Sequence, residues 1–275
     1  MGIPLQYDDF ALCAVGGRSE NQDAWAAFRF GHDGPHSGHG WVVADGLGGR
    51  RGGAVAARMA VDAIIEYFQA QPPRLGPDPG PGPSGEVLNG ALQAAQSAIL
   101  AAQREQPQFS RMGSTAVVLI TDGVIARWAH MGDSRLYHFR DGRLAAQTAD
   151  HSVPYIMYLA GDIPLSAIRG HEDRNQLLRA LGSAMESEGQ WRPGILAEPV
   201  TLEPGDAFLL CSDGFWEHVL EDEMLTDLSA TATARDWVER MEARLRAKVQ
   251  ATVEAAGRQH VDNYTALAVR MAPAP

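Results

Sequence analysis

The chain has 275 residues, 45% of them hydrophobic, with a net charge of −11; it can bury a large core as one sizeable domain or two small ones. Its acidity argues against non-specific binding to nucleic acid or an anionic membrane. Its single lysine, Lys248, lies mid-helix with no Gly-rich loop before it, which excludes phosphate-loop NTPases, protein kinases and Schiff-base enzymes.

Phe10 to Val15 is a strand candidate ending in Gly16 and Gly17, and Ala24 to Phe30 reads as the next strand. Gly31 to Gly40 reads as a solvated hairpin loop whose His32, His36 and His39 have no assigned role. Trp41 to Ala44 then runs into Asp45-Gly46-Leu47-Gly48-Gly49, so a carboxylate is presented at a strand end and the following turn has few side chains. From Ala54 onward apolar residues recur at i, i+4 spacing, which predicts an amphipathic helix. The Pro/Gly-rich stretch 72–85 reads as a surface connection. Ser84 is a candidate N-cap for a second helix, with Leu88, Leu92, Ala95, Ile99 and Ala102 on its core face.

Ser114 to Ile120, Val124 to Met131, Arg135 to Arg140 and Arg143 to Thr148 are strand-like runs separated by Asp-Gly or Gly-Asp turns, and they predict an antiparallel meander with Asp133 in one turn. Asp150 to Met185 has helical pieces at Pro154 to Ala160 and Arg174 to Leu181 and reads as a mobile appendage. Strands resume at Pro199 to Leu202 and Ala207 to Cys211, the latter running into Ser212-Asp213-Gly214. Glu221 to Leu228 is a short helix; Thr233 with Asp236 predicts a capping box for a long helix to Ala256, with Trp237, Met241, Leu245 and Val249 as its core face and Gly257 at C′. Val261-Asp262-Asn263 leads into a last strand, Tyr264 to Met271.

No window approaches the roughly 18 uncharged apolar residues of a membrane span, and residues 1–9 lack the basic start and apolar centre of a signal peptide. Cys13 and Cys211 have neither CxxC spacing nor a disulfide-framework count, so free thiols in the cytoplasm are expected.

Asp23, Asp45, Asp133, Asp213 and Asp262 all stand at junctions between strand and turn. Carboxylates gathered there, with no matching Cys or His set, select hard cations such as Mg²⁺ or Mn²⁺ over zinc. Two such ions about 3.5 to 4 Å apart can hold the attacking and leaving oxygens of an in-line displacement. Arg18 reads equally well as a bidentate phosphate grip and as a surface ion pair. Other hydrolytic devices fail on spacing: six residues past Cys13 and Cys211 stand Ser19 and Glu217, not arginine, and Leu210 occupies the first glycine position of a nucleophile elbow. Arg51 breaks the dinucleotide fingerprint.

The motifs Arg18-Ser-Glu-Asn-Gln-Asp23, Val43-Ala-Asp-Gly-Leu-Gly-Gly49, Gly113-Ser-Thr-Ala116, Gly132-Asp-Ser-Arg135, Asp150-His-Ser152, Leu178-Arg-Ala-Leu-Gly182, Pro204-Gly-Asp206, Cys211-Ser-Asp-Gly-Phe-Trp216 and Asp262-Asn263 span nearly the whole chain. In content and order they resemble those of the metal-dependent protein phosphatases of the PPM, or PP2C, type. The resemblance implies an α+β fold over 1–275 as a single domain: a four-layer α-β-β-α sandwich of two antiparallel sheets flanked by helices, with residues 150–185 as a flap beside the site. It implies two or three Mn²⁺ or Mg²⁺ ions. Asp45 would bridge two of them, the Gly46 carbonyl would bind the second, Asp213 and Asp262 would bind the first, and Asp133 with Asp213 would hold a weaker third. Asp23 would act through metal-bound water and Arg18 would hold the phosphate.

The implied activity is hydrolysis of phosphoserine and phosphothreonine in proteins by a metal-bridging hydroxide, without a phosphoenzyme. The alternatives are a catalytically silent phosphoprotein-binding relative and a phosphatase of small esters. Two positions depart from many family members: Gln22 stands where a glutamate is common, and Leu47 where some eukaryotic members carry a histidine proposed as general acid. His151, beside the Asp150 turn, reads as structural. The arginine and alanine bias suggests a bacterium with a GC-rich genome, and the expected partners are phosphorylated proteins and a cognate Ser/Thr kinase, with no nucleic acid, no membrane insertion and a monomeric state. The text His171-Glu172-Asp173-Arg174-Asn175 resembles that of phosphatases opposing the kinases of type VI secretion.

Overall fold

The central strands of this chain are apolar on both faces, because each lies between a second sheet and a layer of helices. The computed structural model describes residues 5–31, 37–48, 51–71, 84–183, 191–256 and 261–273. In chain order the elements are β1 (Leu5–Ala14), β2 (Asp23–Phe30), β3 (Gly38–Leu47), α1 (Arg51–Ala70), α2 (Ser84–Glu105), β4 (Gly113–Ser114), β5 (Ala116–Thr121), β6 (Ile125–Met131), β7 (Arg135–Arg140), β8 (Arg143–Gln147), α3 (Val153–Ala160), β9 (Gly194–Ile195), β10 (Val200–Thr201), β11 (Ala207–Cys211), α4 (Asp213–Trp216), α5 (Glu221–Ser229), α6 (Ala234–Ala256) and β12 (Tyr264–Pro273). One sheet runs β1-β12-β11-β7-β8; the other runs β10-β6-β5-β3-β2, with β4 paired to β3 and β9 to β6. All pairings are antiparallel, and the architecture is an α+β sandwich of four layers.

Period-two alternation divides each strand between two cores. In β3, Val42 and Ala44 face the helices while Trp41 and Val43 face the opposing sheet; in β5, Val118 and Ile120 face the helices while Val117 and Leu119 face inward. The outer core on this side is completed by α1 and by the predicted face of α2, where Leu88, Leu92, Ala95, Ile99 and Ala102 are all buried. On the other side Trp237, Met241 and Leu245 of α6 cover Leu209 and Cys211 of β11. Thr233 caps α6, its hydroxyl accepting the Asp236 N–H at 3.0 Å. Gly257 and the stretch 72–83 lie outside the described residues.

Three expectations need correction. First, Gly38 to Gly40 is strand, not loop: Phe30 pairs with Gly38 and Phe28 with Gly40. A Cβ at Gly38 or Gly40 would lie 2.4 and 2.3 Å from the Phe30 and Phe28 rings, so these glycines serve as seats for cross-strand aromatics. The ring of His39, between them, packs at a tilt against Tyr7 with centroids 4.4 Å apart; His32 and His36 lie outside the described residues.

Second, the runs from 114 to 148 are not one meander. β5 pairs with β6 and β7 with β8, but β6 and β7 belong to different sheets, β7 lying against β11. Gly132, at φ +101°, turns the chain from one sheet to the other. Third, residues 174–181 are not helical. The Gln176 carbonyl accepts the Val153 N–H and the Leu178 N–H donates to the His151 carbonyl, and isolated bridges join Leu177 to Ser152 and Leu181 to Ser114. Backbone groups committed to neighbouring segments cannot also close helical turns. Nor do residues 150–183 hang loosely: Ile168 is buried in the core beneath α5 and α6, and Arg169 pairs with Glu221 at 2.5 Å.

Candidate active site

Each carboxylate singled out by the sequence stands at the same edge of the sandwich, delivered from both sheets. Asp23 begins β2 and pairs directly with Asp45 near the end of β3. Asp133 lies in the turn that crosses between the sheets, Asp213 opens α4 after β11, and Asp262 precedes β12. Burial pushes the Asp45 carboxyl well above the usual range, and Asp213, Asp23, Asp133 and Asp262 push it further. Asp133 is raised by burial and then by Asp213 and Asp150, and Asp213 by burial and then by Asp262. Asp23 is pushed up to about 7 by burial, although hydroxyls oppose the shift.

The hydroxyls around this cluster hold the acids in place. Ser212 and Thr265 each donate to Asp23 Oδ2 at 2.7 Å. The Asp45 N–H donates to Thr115 Oγ1 at 3.0 Å, Thr115 Oγ1 lies 2.6 Å from Ser134 Oγ, and Ser114 Oγ donates to the Asp45 carbonyl at 3.0 Å. Trp216 Nε1 donates to the Asp133 carbonyl at 2.9 Å, and the Trp216 ring is covered by the Arg135 guanidinium at 3.5 Å. Asn263 fastens the loop that carries Arg18: its amide donates to the carbonyls of Val15 and Glu20, and its Oδ1 accepts the Gln22 N–H. Arg18, half exposed, donates to Asp262 Oδ2 at 2.5 Å and is raised chiefly by that bond.

Is this a place for cations? Among the described residues no three His, Cys, Asp or Glu side chains form a ready-made cage. The donor chemistry nevertheless fits hard ions of the Mg²⁺ kind, which keep several waters and bind through one or two carboxylates. Asp23 Oδ1 is buried without a hydrogen-bond partner, and a buried acceptor left alone costs free energy unless something else satisfies it. Only glycine fits beside the proposed carbonyl ligand, because the two backbone segments approach closely: a Cβ at Gly53 would lie 2.6 Å from the Gly46 oxygen, and one at Gly46 would lie 2.1 Å from the Gly53 oxygen.

One acid at this edge was not anticipated. Glu217 lies one helical turn beyond Asp213, its N–H bonding the Asp213 carbonyl; burial and then Asp213 push it up to about 7, while Arg174 opposes the shift through an ion pair at 2.8 Å. The i+4 spacing from Asp213 was the signal that could have found it. His151 accepts the Gly132 N–H through Nδ1 at 3.2 Å and stacks on His130; burial pushes it down to about 3, so its imidazole is neutral at physiological pH. Cys211 is buried and its thiol is pushed up by burial, which disables it as a nucleophile. Leu47 is partly exposed beside Gly48. No helix among the described residues is long and apolar enough to cross a membrane.

A family model described as protein phosphatase 2C matches residues 16–256. The serine/threonine protein phosphatase PstP of Mycobacterium tuberculosis is 30% identical over 197 residues, which cover 70% of this chain and 35% of that protein. The match thus spans about a third of that relative's length. Among solved structures, the catalytic domain of serine threonine protein phosphatase PstP in complex with 2 manganese ions superposes with a TM-score of 0.71 at 25% identity, covering 98% of both chains. PppA, described as a key regulatory component of T6SS in Pseudomonas aeruginosa, gives a TM-score of 0.69 at 27% identity, over 96% of this chain and 97% of that one.

Proposed function

The chain belongs to the protein phosphatase 2C family, and from that premise we propose that it hydrolyses phosphoserine and phosphothreonine in proteins with the aid of divalent cations. The observation that carries the reading is the convergence of Asp23, Asp45, Asp133, Asp213 and Asp262 from both sheets on one edge, with Arg18 already at that edge on Asp262. Like charges so placed call for cations, and PstP holds two manganese ions. Asp45, the Gly46 carbonyl, Asp213 and Asp262 would hold two Mn²⁺ or Mg²⁺ ions and Asp133 with Asp213 a third, while Asp23 acts through water.

Such ions, when bound, polarise the phosphoryl oxygens and lower the pKa of water so that hydroxide is available for in-line attack at neutral pH. The chain's own groups do the rest. Arg18 exchanges its hold on Asp262 for the phosphoryl oxygens, to which a planar guanidinium can offer two parallel N–H donors. The hydroxyls of Thr115, Ser212 and Thr265 keep Asp45 and Asp23 oriented through the reaction. Leu47 has no proton to give, so the departing serine or threonine oxygen is protonated by water in the site. The substrates come from a Ser/Thr kinase, a pairing in keeping with the regulatory role described for PppA.

The test is a comparison of kcat/KM on a phosphothreonine peptide and on small phosphate esters in Mn²⁺, for the wild type, Asp213→Asn and Arg18→Ala. Turnover that favours the peptide, is abolished by Asp213→Asn and shows a raised KM in Arg18→Ala is expected. Calorimetric binding of the peptide without turnover would make the protein a silent phosphoprotein binder, and a preference for small esters would move its substrate class.

A further inference from the structure

A cleft of about 290 Å³ adjoins the acidic edge, lined among others by Leu47, Arg111, Met112, Leu181 and Ser183. Register places it beside the candidate catalytic residues: Leu47 is two residues beyond Asp45 and pairs with Gly113, while Gly46 pairs with Ser114. The cleft is preformed. Its two walls, at Met112 and at Gly182, are joined by Gln103, whose Nε2 donates to both carbonyls at 2.6 and 2.8 Å. Gln96 secures the second wall, accepting the Gly182 N–H at 2.6 Å and donating to the Ser183 carbonyl at 3.1 Å. The first wall is fixed against the Asp45 turn, since a Cβ at Gly48 would lie 2.6 Å from the Arg111 carbonyl.

Among the described lining residues Arg111 is the one cation. Arg111 is exposed, and its guanidinium has no hydrogen bond or ion pair with any described residue. Of the described arginines at the acidic edge, Arg18 is committed to Asp262 and Arg174 to Glu217. The partly exposed apolar side chain of Leu47 suits the methylene stem of a bound residue. Among the described lining residues there is no aspartate or glutamate to compete for Arg111.

We infer that this cleft is a specificity subsite for an acidic side chain next to the phosphorylated residue of the substrate, with Arg111 as its counter-charge. The inference rests on the phosphatase reading above. It also fits an enzyme with a net charge of −11, which repels acidic peptides overall and so needs a local cation to accept one.

The experiment compares phosphothreonine peptides carrying Glu, Ala or Lys beside the phosphothreonine, on each side in turn, with wild type, Arg111→Gln and Arg111→Glu in Mn²⁺. Each kcat/KM is divided by the same variant's value for p-nitrophenyl phosphate. An exposed ion pair contributes up to about fivefold and its replacement by repulsion a similar factor. The wild type should therefore favour Glu over Lys by roughly tenfold at one flanking position. Arg111→Gln should flatten that ratio and Arg111→Glu invert it. Equal normalised rates on the three peptides, or a Glu preference that survives in Arg111→Gln, would overturn the assignment. Absence of hydrolysis of both peptide and p-nitrophenyl phosphate would instead remove the phosphatase reading, and this inference with it.

Discussion

Asp45, proposed above as a cation ligand, would oppose the stability of its own fold. Burial and the neighbouring carboxylates disfavour its ionised form, so the metal-free protein bears the cost of confining these acids at the sandwich edge. Asp45→Asn should leave the metal-free protein at least as stable as wild type, while abolishing most of the rise in Tm that Mn²⁺ gives the wild type. Thermal melts in EDTA and in Mn²⁺ decide this; a variant that melts much lower in EDTA yet keeps its Mn²⁺ response would show Asp45 to be structural.

The five aspartates were legible because each interrupts an apolar strand at a turn, where a carboxylate has no packing reason to be. Glu217 was not, because a glutamate in a helical turn usually means a solvated face. Thr115 and Ser134, though within the quoted motifs, and Thr265 carried no assigned role for a related reason: hydroxyls give no signal of what they hold until the partner segment is known.

At the scale of elements, the turn at Gly132 decides where Asp133 stands. Two glycines there and nearby share a left-handed backbone, Gly132 at φ +101° and Gly123 at φ +86°, but only the first is crowded. A Cβ at Gly132 would lie 2.6 Å from Thr115 Cγ2, whereas Gly123 has nothing within 4 Å. Gly123→Ala should cost about 1 kcal/mol for the backbone alone. Gly132→Ala should cost more, and should weaken Mn²⁺ binding by calorimetry because Thr115 and Asp133 both shift; equal losses for the two variants would remove the turn from the account.

The switch of sheets there was invisible in the sequence, since Gly132-Asp133-Ser134 has the chemistry of a hairpin turn, as does the true hairpin at Asp141-Gly142. Helices α1, α2 and α6 were legible because one apolar face recurs at helical spacing. The strand at Gly38 to Gly40 was not, because a glycine that seats an aromatic ring looks like a loop glycine until the ring's strand is paired.

A second element-scale prediction concerns the turn before β11. Asp206 is buried; burial raises its pKa, but hydrogen bonds from Arg140, from His138 and from the Glu203 N–H outweigh that and hold it at about 2. A carboxylate depressed in the folded state contributes stability that is complete above its unfolded pKa of about 3.9 and is lost as pH falls toward 2. The contribution is on the order of 2 kcal/mol. Asp206→Ala should cost about 3 kcal/mol near pH 7, since it leaves Arg140 and the buried His138 without their acceptor, and the deficit relative to wild type should shrink in urea melts between about pH 4 and pH 2. A deficit independent of pH would assign the loss to packing.

Over the whole molecule, the site exists only when both sheets are packed: Asp23 and Asp45 come from one, Asp213 and Asp262 flank strands of the other, and Asp133 lies on the chain that crosses between them. Cation binding at the proposed site would therefore be linked to global stability, and an ion at 100 times its Kd should add about 2.7 kcal/mol. The four layers and the acidic edge could be expected from the motifs; which strands change sheets, and how residues 150–183 are fastened to α4 and α5, depended on long-range pairing that local sequence does not encode.

The measurement that bears most directly on the central claim is hydrolysis of a phosphothreonine peptide by the purified protein, first stripped with EDTA and then titrated with Mn²⁺, with Asp45→Asn alongside. The account predicts no turnover in EDTA, turnover that rises with Mn²⁺, and none at any Mn²⁺ concentration in the variant. Full activity in EDTA, or an Asp45→Asn protein that matches the wild type, would contradict it.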